Sequence, residues 1–231
     1  MTSIRKLGLA ALLAAAAGIG QADAALTLIS SVGGAPTGVN LNNLDGLTLG
    51  TGTPQSITAG VSLILTPNAA VVQGSVGGIY AAPFISGSNG AGFGNAPGQD
   101  TTPYITTGST GVFTNAAAEI SFTSLQQYFG LLWGSVDSYN TIEFFNGAVS
   151  VGSLTGSAVT PTATGDQGVN GTYYVNINST LAFNRVVMTS SSFAFEFDNI
   201  AWNATPVPEP ASLALLGAGL LGLGLARRRR R

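Results

Sequence analysis

The chain has 231 residues, with 32 Gly, no Cys, no His and only 8% charged side chains. A Gly content about twice the ~7% norm argues against a helical bundle and for a turn-rich all-β chain, because each interior Gly costs a helix about 1 kcal/mol. Without imidazole or thiol, Ser-His-Asp and Cys-His catalysis, the usual structural zinc sites and disulfides are all excluded.

In chain order, residues 1–24 read as a signal peptide. Arg5 and Lys6 precede an apolar run from Leu7 to Ile19, and the chain turns polar at Gln21. Ala22 and Ala24 offer the small residues that signal peptidase needs, so cleavage is expected after Ala24 and export by the Sec route. Residues 25–205 form the body, long enough for one domain with a core.

Its first half suggests strands at Leu26 to Val32, Gly60 to Thr66, Ile79 to Ile85 and Val112 to Phe122. Ser86 to Thr102 lacks periodicity and reads as a long exposed loop. Tyr128 to Val136 is almost continuously apolar, as in a strand buried on both faces. Alternation marks Thr141 to Phe145, Thr172 to Asn178 and Phe183 to Thr189, and Asn146-Gly147 predicts a hairpin. In Ser192 to Trp202, strict alternation places Phe193, Phe195 and Phe197 on a core face and Ala194, Glu196, Asp198, Ile200 and Trp202 on the other. Many short strands with such turns predict an antiparallel β-sandwich, jelly-roll-like, flanked by a signal helix and a C-terminal transmembrane helix.

Charge is partitioned along the chain. Arg185 is the sole cation between Lys6 and Arg227, against eight acids in the body, which therefore carries about −7. Nucleic acid is not an expected partner, because phosphate binding needs Lys and Arg contacts.

The C-terminal segment, 206–231, contains Pro208-Glu209-Pro210, an apolar stretch over 211–226 and Arg227, Arg228, Arg229, Arg230 and Arg231. As a helix the stretch reaches about 24 Å against a ~30 Å hydrocarbon core, a gap that local thinning or snorkelling arginine stems close. The arginines stop transfer and keep the tail cytoplasmic, with the body outside.

Pro-Glu-Pro, a Gly/Ala/Leu-rich span and a terminal Arg cluster, together with a signal peptide, resemble the PEP-CTERM sorting signal of exosortase substrates in Gram-negative bacteria. Tyr128 to Gly147 and Phe193 to Trp202 are similar to segments of one group of such surface proteins. The resemblance implies an exosortase partner, tail removal near Pro208 to Pro210, a transient inner-membrane stage and an extracellular or cell-surface destination in a polysaccharide-producing host. It brings no activity and no catalytic residues.

Candidate chemistry within the body is confined to carboxylates, amides and aromatic rings. Asp137, Asp198 and Asn199 lie at strand ends where oxygen ligands could hold calcium, or where Asp and Asn hydrogen-bond the backbone of turns. Glu143, Glu196, Asp137 and Asp198 are the clustered acids a glycoside hydrolase would need, but alternation places Glu143 and Glu196 opposite apolar neighbours, on solvent-facing positions. No catalytic residue is assigned on this basis. Tyr128, Trp133, Tyr139, Phe145, Tyr174 and Trp202 are candidates for stacking on sugars. The expected function is a non-enzymatic surface or matrix protein, structural or adhesive in extracellular polysaccharide, with a carbohydrate-binding module as the alternative and a polysaccharide-processing enzyme behind it.

Overall fold

The computed structural model describes residues 27–31, 34–87, 89–94 and 96–207. The signal segment with Ala22 and Ala24 lies outside the described residues, as do Pro208, Glu209, Pro210, the apolar stretch 211–226 and Arg227 to Arg231.

Among the described residues the strands are β1 (Thr27–Ser31), β2 (Asn40–Asn42), β3 (Gln55–Thr58), β4 (Val61–Leu65), β5 (Ala69–Val72), β6 (Phe84–Ile85) and β7 (Gly98–Gln99). They continue as β8 (Tyr104–Thr107), β9 (Ala117–Gly134), β10 (Asn140–Asn146), β11 (Val149–Thr155), β12 (Tyr173–Ser190) and β13 (Glu196–Asn203), with one helical turn, α1 (Gly156–Val159). One antiparallel sheet runs β11-β10-β12-β9-β13-β8-β5, with β1 beside β12, β2 beside β13, and β4 and β3 continuing outward from β9. β6 and β7 pair separately.

Two 18-residue strands organise this sheet. β9 pairs with β4 through Ala118 to Phe122 and with β13 through Tyr128 to Gly134. β12 likewise pairs with β1 through Tyr174 to Asn178 and with β10 through Arg185 to Ser190. Both change partner at an irregularity, where the β12–β9 register shifts around Phe183.

The bend there is sharp. Phe129 pairs with Ile177 and Phe144 with Val186, nine residues further along β12 and about 30 Å away along a straight strand. Their rings are nevertheless 6.2 Å apart. Phe122, on the first half of β9, also lies 6.0 Å from Trp202 on β13. The sheet therefore folds over its own apolar face, and Leu63, Ile120, Phe144 and Phe183 share one core with Trp133, Phe195 and Phe197. Trp133 stacks on Phe195 at 4.4 Å. A smaller cluster of Ile85, Tyr128, Leu132, Tyr174 and Ala201 covers the opposite face.

Several expectations hold. The chain is all-β and antiparallel, β9 is buried on both faces from Tyr128 onward, and Asn146-Gly147 closes the β10–β11 hairpin, with Gly147 at φ +59°. The φ is positive there because a two-residue hairpin turn requires it. Others are corrected. Thr172 to Asn178 and Phe183 to Thr189 are two parts of one bent strand, and within Ile79 to Ile85 only Phe84–Ile85 is strand. The loop at 86–102 is not wholly exposed: Asn89 and Asp100 are buried, and Phe93 packs on Tyr174.

The face assignment of β13 also changes. Asp198 pairs with Leu132 and Ala201 with Gly130, so β13 has one more residue than β9 across this interval. Asn199, at φ +50°, is that bulge. Beyond it the alternation reverses, and Ile200 and Trp202 join Phe195 and Phe197 in the core while Phe193 sits at the edge against Phe113.

β13 leads to Val207, the last described residue. Asn178 Nδ2 donates to Val207 O and Val207 N donates to Asn178 Oδ1, each at 2.8 Å, which ties this end to β12.

Candidate functional site

Glu196 and Asp198 occupy alternate positions of β13 and point away from the Phe195/Phe197 core, about 7 Å apart along the strand. Each is the centre of its own acidic cluster. Glu196 is only 2% exposed, contrary to the solvent-facing expectation, because the segment around Ala81 covers this face of the strand.

The first cluster lines a cavity of about 230 Å³ with Tyr80, Ser135, Asp137, Tyr139, Gln167 and Glu196. Ser135 and Asp137 follow the end of β9, held by Val136 N–H donating to Gly171 O at 2.9 Å and Gly165 N–H donating to Val136 O at 3.1 Å. Glu196 Oε1 accepts from Ala81 N–H at 2.9 Å and Oε2 from the Ser135 hydroxyl at 2.5 Å. Burial pushes the Glu196 carboxyl up to about 7 despite these two donors, and Asp137 adds to the push. Burial also raises Asp137, with the Tyr139 hydroxyl offsetting part of it.

Tyr139 Oη stands 2.7 Å from Asp137 Oδ2 and 2.5 Å from Phe193 O, so one hydroxyl proton faces two acceptors. Gly165, at φ +71°, makes this approach possible: a Cβ there would lie 2.6 Å from Asp137 Oδ2. The cavity thus presents carboxyls that favour their protons, two tyrosines and an amide, which together can donate and accept hydrogen bonds to a polyhydroxylated ligand.

The second cluster joins Asp198 to Asp100 and Asp45. Asp198 is fully buried, and its carboxyl is pushed well above the ordinary range by burial first, then by Asp100 and Asp45, with the Asn199 N–H opposing. Its carboxyl faces that of Asp100, and the hydrogen bond between the two side chains contributes to the rise. Asp100, 3% exposed, accepts through Oδ1 from Thr102 N–H at 2.8 Å and the Thr102 hydroxyl at 2.6 Å. Asp45 Oδ2 accepts from Asn43 Nδ2 at 2.5 Å and Oδ1 has none. A cavity of about 350 Å³ reaches Asp45 and Asp100 between Asn43, Phe93, Gln99 and Thr102.

The sequence-predicted metal set is therefore split. Asp198 and Asn199 stay adjacent, while Asp137 belongs with Glu196 in the other cluster. Asp100 falls in the stretch read as a loop, and no local pattern links it or Asp45 to Asp198. Among the described residues, no group of three or more His, Cys, Asp or Glu side chains stands in metal-holding geometry.

Four of the candidate sugar-stacking rings are unavailable: Tyr128, Trp133 and Tyr174 are fully buried and Trp202 nearly so. Phe145 lies under the Arg185 guanidinium at 4.0 Å, and Tyr139 remains at the cavity wall. Glu143 accepts from the Ser150 hydroxyl at 2.7 Å on the β10–β11 hairpin, apart from both clusters. Arg185 itself pairs with Glu119 at 3.0 Å.

Residues 206–231 match the family model of the PEP-CTERM protein-sorting motif. The chain thus carries the signal that defines PEP-CTERM, exosortase-dependent proteins. No curated protein and no solved structure matches it. Among the described residues no helix is long and apolar enough to cross a membrane.

Proposed function

We propose that the chain is an exosortase-sorted, non-enzymatic protein of a Gram-negative cell surface or extracellular matrix, structural or adhesive within extracellular polysaccharide and biofilm. The observation that carries this reading is the sorting motif at 206–231. It implies Sec export, a transient membrane stage through the apolar stretch 211–226, and processing by exosortase near Pro208, Glu209 and Pro210. Signal peptidase acts first, after Ala24. The body is then a sandwich-like domain made by one sheet folded over a Phe-rich core, acidic and served by the single cation Arg185.

Replacing Pro208, Glu209 and Pro210 together by Ala tests the sorting step. The variant remains membrane-inserted and keeps its Arg tail, read by mass spectrometry of both protein ends. Normal processing of the variant refutes exosortase handling.

A carbohydrate-binding role is the second reading, favoured by the cavity between Tyr80, Tyr139, Gln167 and the Asp137/Glu196 carboxyls. A glycan array probed with the full chain separates the two. Reproducible binding that is lost in Tyr139→Ala supports the module, whereas release of cleaved product would favour an enzyme.

A further inference from the structure

We propose that the ridge at which the sheet bends, bearing Leu125 and Leu181, is a lipid-docking surface that seats the body on the membrane headgroups during the anchored stage. The inference rests on the sorting reading, because it takes the apolar stretch 211–226 into the bilayer.

Both ends of the body converge on this ridge. Thr27, the first residue of β1, pairs with Asn178, and Val207 is held by the Asn178 side chain. Tyr128 lies between Asn178 and Asn203, so β1 starts and β13 ends on a single row across the sheet. Beyond that row β9 and β12 bend at 123–127 and 179–182, held side by side by Gln127 Nε2 donating to Thr180 O at 3.3 Å. The two halves of the sheet run away from the bend and pack face to face, which makes the ridge one end of the molecule.

Chain length then sets its height above the bilayer. The four residue steps from Val207 to Ala211 span at most about 14 Å. Headgroups occupy about 5 to 7 Å on each side of the hydrocarbon core, so an inserted 211–226 holds this end of the body within about 9 Å of the headgroup surface. The expected signal cleavage after Ala24, at the same membrane, lies three residues before Thr27 and delivers the other end to the same place.

The ridge suits lipid. Its segments 123–127, 178–182 and 203–207, with 58–60 joined to them by Thr123 N–H donating to Gly60 O, contain no Asp, Glu, Lys or Arg. Leu125 and Leu181 are 49% and 51% exposed. The exposed hydroxyls of Thr123, Ser124 and Thr180 beside them can bond phosphate and ester oxygens. Acids gather at the opposite end: Glu196 pairs with Gly134, and Asp137 and Asp166 lie past it. Gly134 is six residues and about 20 Å along β9 from Tyr128, more than twice the ~8 Å screening length at physiological salt. Glu119, nearer the bend, is paired with Arg185. An anionic bilayer therefore repels the acidic body least when the ridge faces it.

The chain has no Cys, so single cysteines place a fluorophore at chosen sites. The full-length chain is inserted into vesicles of phosphatidylcholine and phosphatidylglycerol, labelled through Thr180→Cys or Asp166→Cys, and exposed to a quencher carried on the lipid headgroups. Strong quenching is expected at position 180 and none at position 166. Leu125→Glu combined with Leu181→Glu, at exposed positions and with unchanged melting, separates docking from mere tethering. It lowers the ratio of docked to free body by about tenfold, the effect of withholding two half-exposed leucines from the interface. Leu125→Ser with Leu181→Ser gives the same direction of change without added charge. A chain that fails to float with the vesicles overturns the sorting reading and the docking with it. A chain that floats but is quenched equally at both positions, or as strongly in the paired variants as in wild type, overturns the docking alone. Quenching that appears only when exosortase is present in the vesicles assigns the ridge to that enzyme and overturns the lipid proposal.

Discussion

Replacing Glu196 by Gln isolates the cost of keeping that carboxyl in the sheet. Gln preserves the local contacts: its oxygen accepts from Ala81 N–H and its amide donates to Ser135 Oγ. What it removes is titration. The carboxyl moves from an ordinary 4.5 to about 7 on folding, a difference worth roughly 3 kcal/mol. Because the folded-state value is raised, the folded protein binds the proton more tightly than the unfolded chain does. Stability is therefore fully present below pH 4.5 and is lost as pH rises through about 7. Urea unfolding of both proteins, in chelator and at a series of pH values from 4.5 to 8.5, measures this. The gap between variant and wild type shifts in favour of Glu196→Gln by about 3 kcal/mol from the acid to the alkaline end. Parallel profiles would refute the reasoning, since Asp198 contributes to both proteins alike and cancels, while the Asp137 repulsion that helps raise Glu196 is part of the difference measured.

Two further outcomes follow from the packing. Phe183→Ala, which removes a ring touching both Phe122 and Phe144 at the bend, costs about 3 to 5 kcal/mol in chemical denaturation, while Phe113→Ala at the edge costs far less. Gly165→Ala places a Cβ against the Asp137 carboxylate at an unfavourable positive φ, and lowers the unfolding free energy by about 1 to 3 kcal/mol while displacing the Tyr139 hydroxyl signal in NMR.

Much of the strand content was legible because alternation and turn chemistry are local. Asn146-Gly147 needs only its own backbone preference to announce the hairpin, and the apolar run at Tyr128 to Val136 needs only its composition. The face of Ile200 and Trp202 was not legible, because the bulge at Asn199 is defined by the count of residues on β9 opposite it. Glu196 shows a related limit. Alternation correctly places it opposite Phe195 and Phe197 but carries no information about the segment at Ala81 that covers it. The sorting signal could be read whole from one stretch of chain, whereas Asp45, Asp100 and Asp198 come from three distant strands and loops and meet only after the sheet has formed.

The tie between Val207 and Asn178 has a mechanical meaning. The sorting motif begins at the very end of the described body, so an anchor fixed there would pull on a residue bolted to Asn178, the sixth residue of the 18-residue strand that both halves of the sheet share. Load entering from the surface divides between those two hydrogen bonds and the β13 ladder, which resists by shear along its length. A tether placed this way would load β12 and the β13 ladder directly.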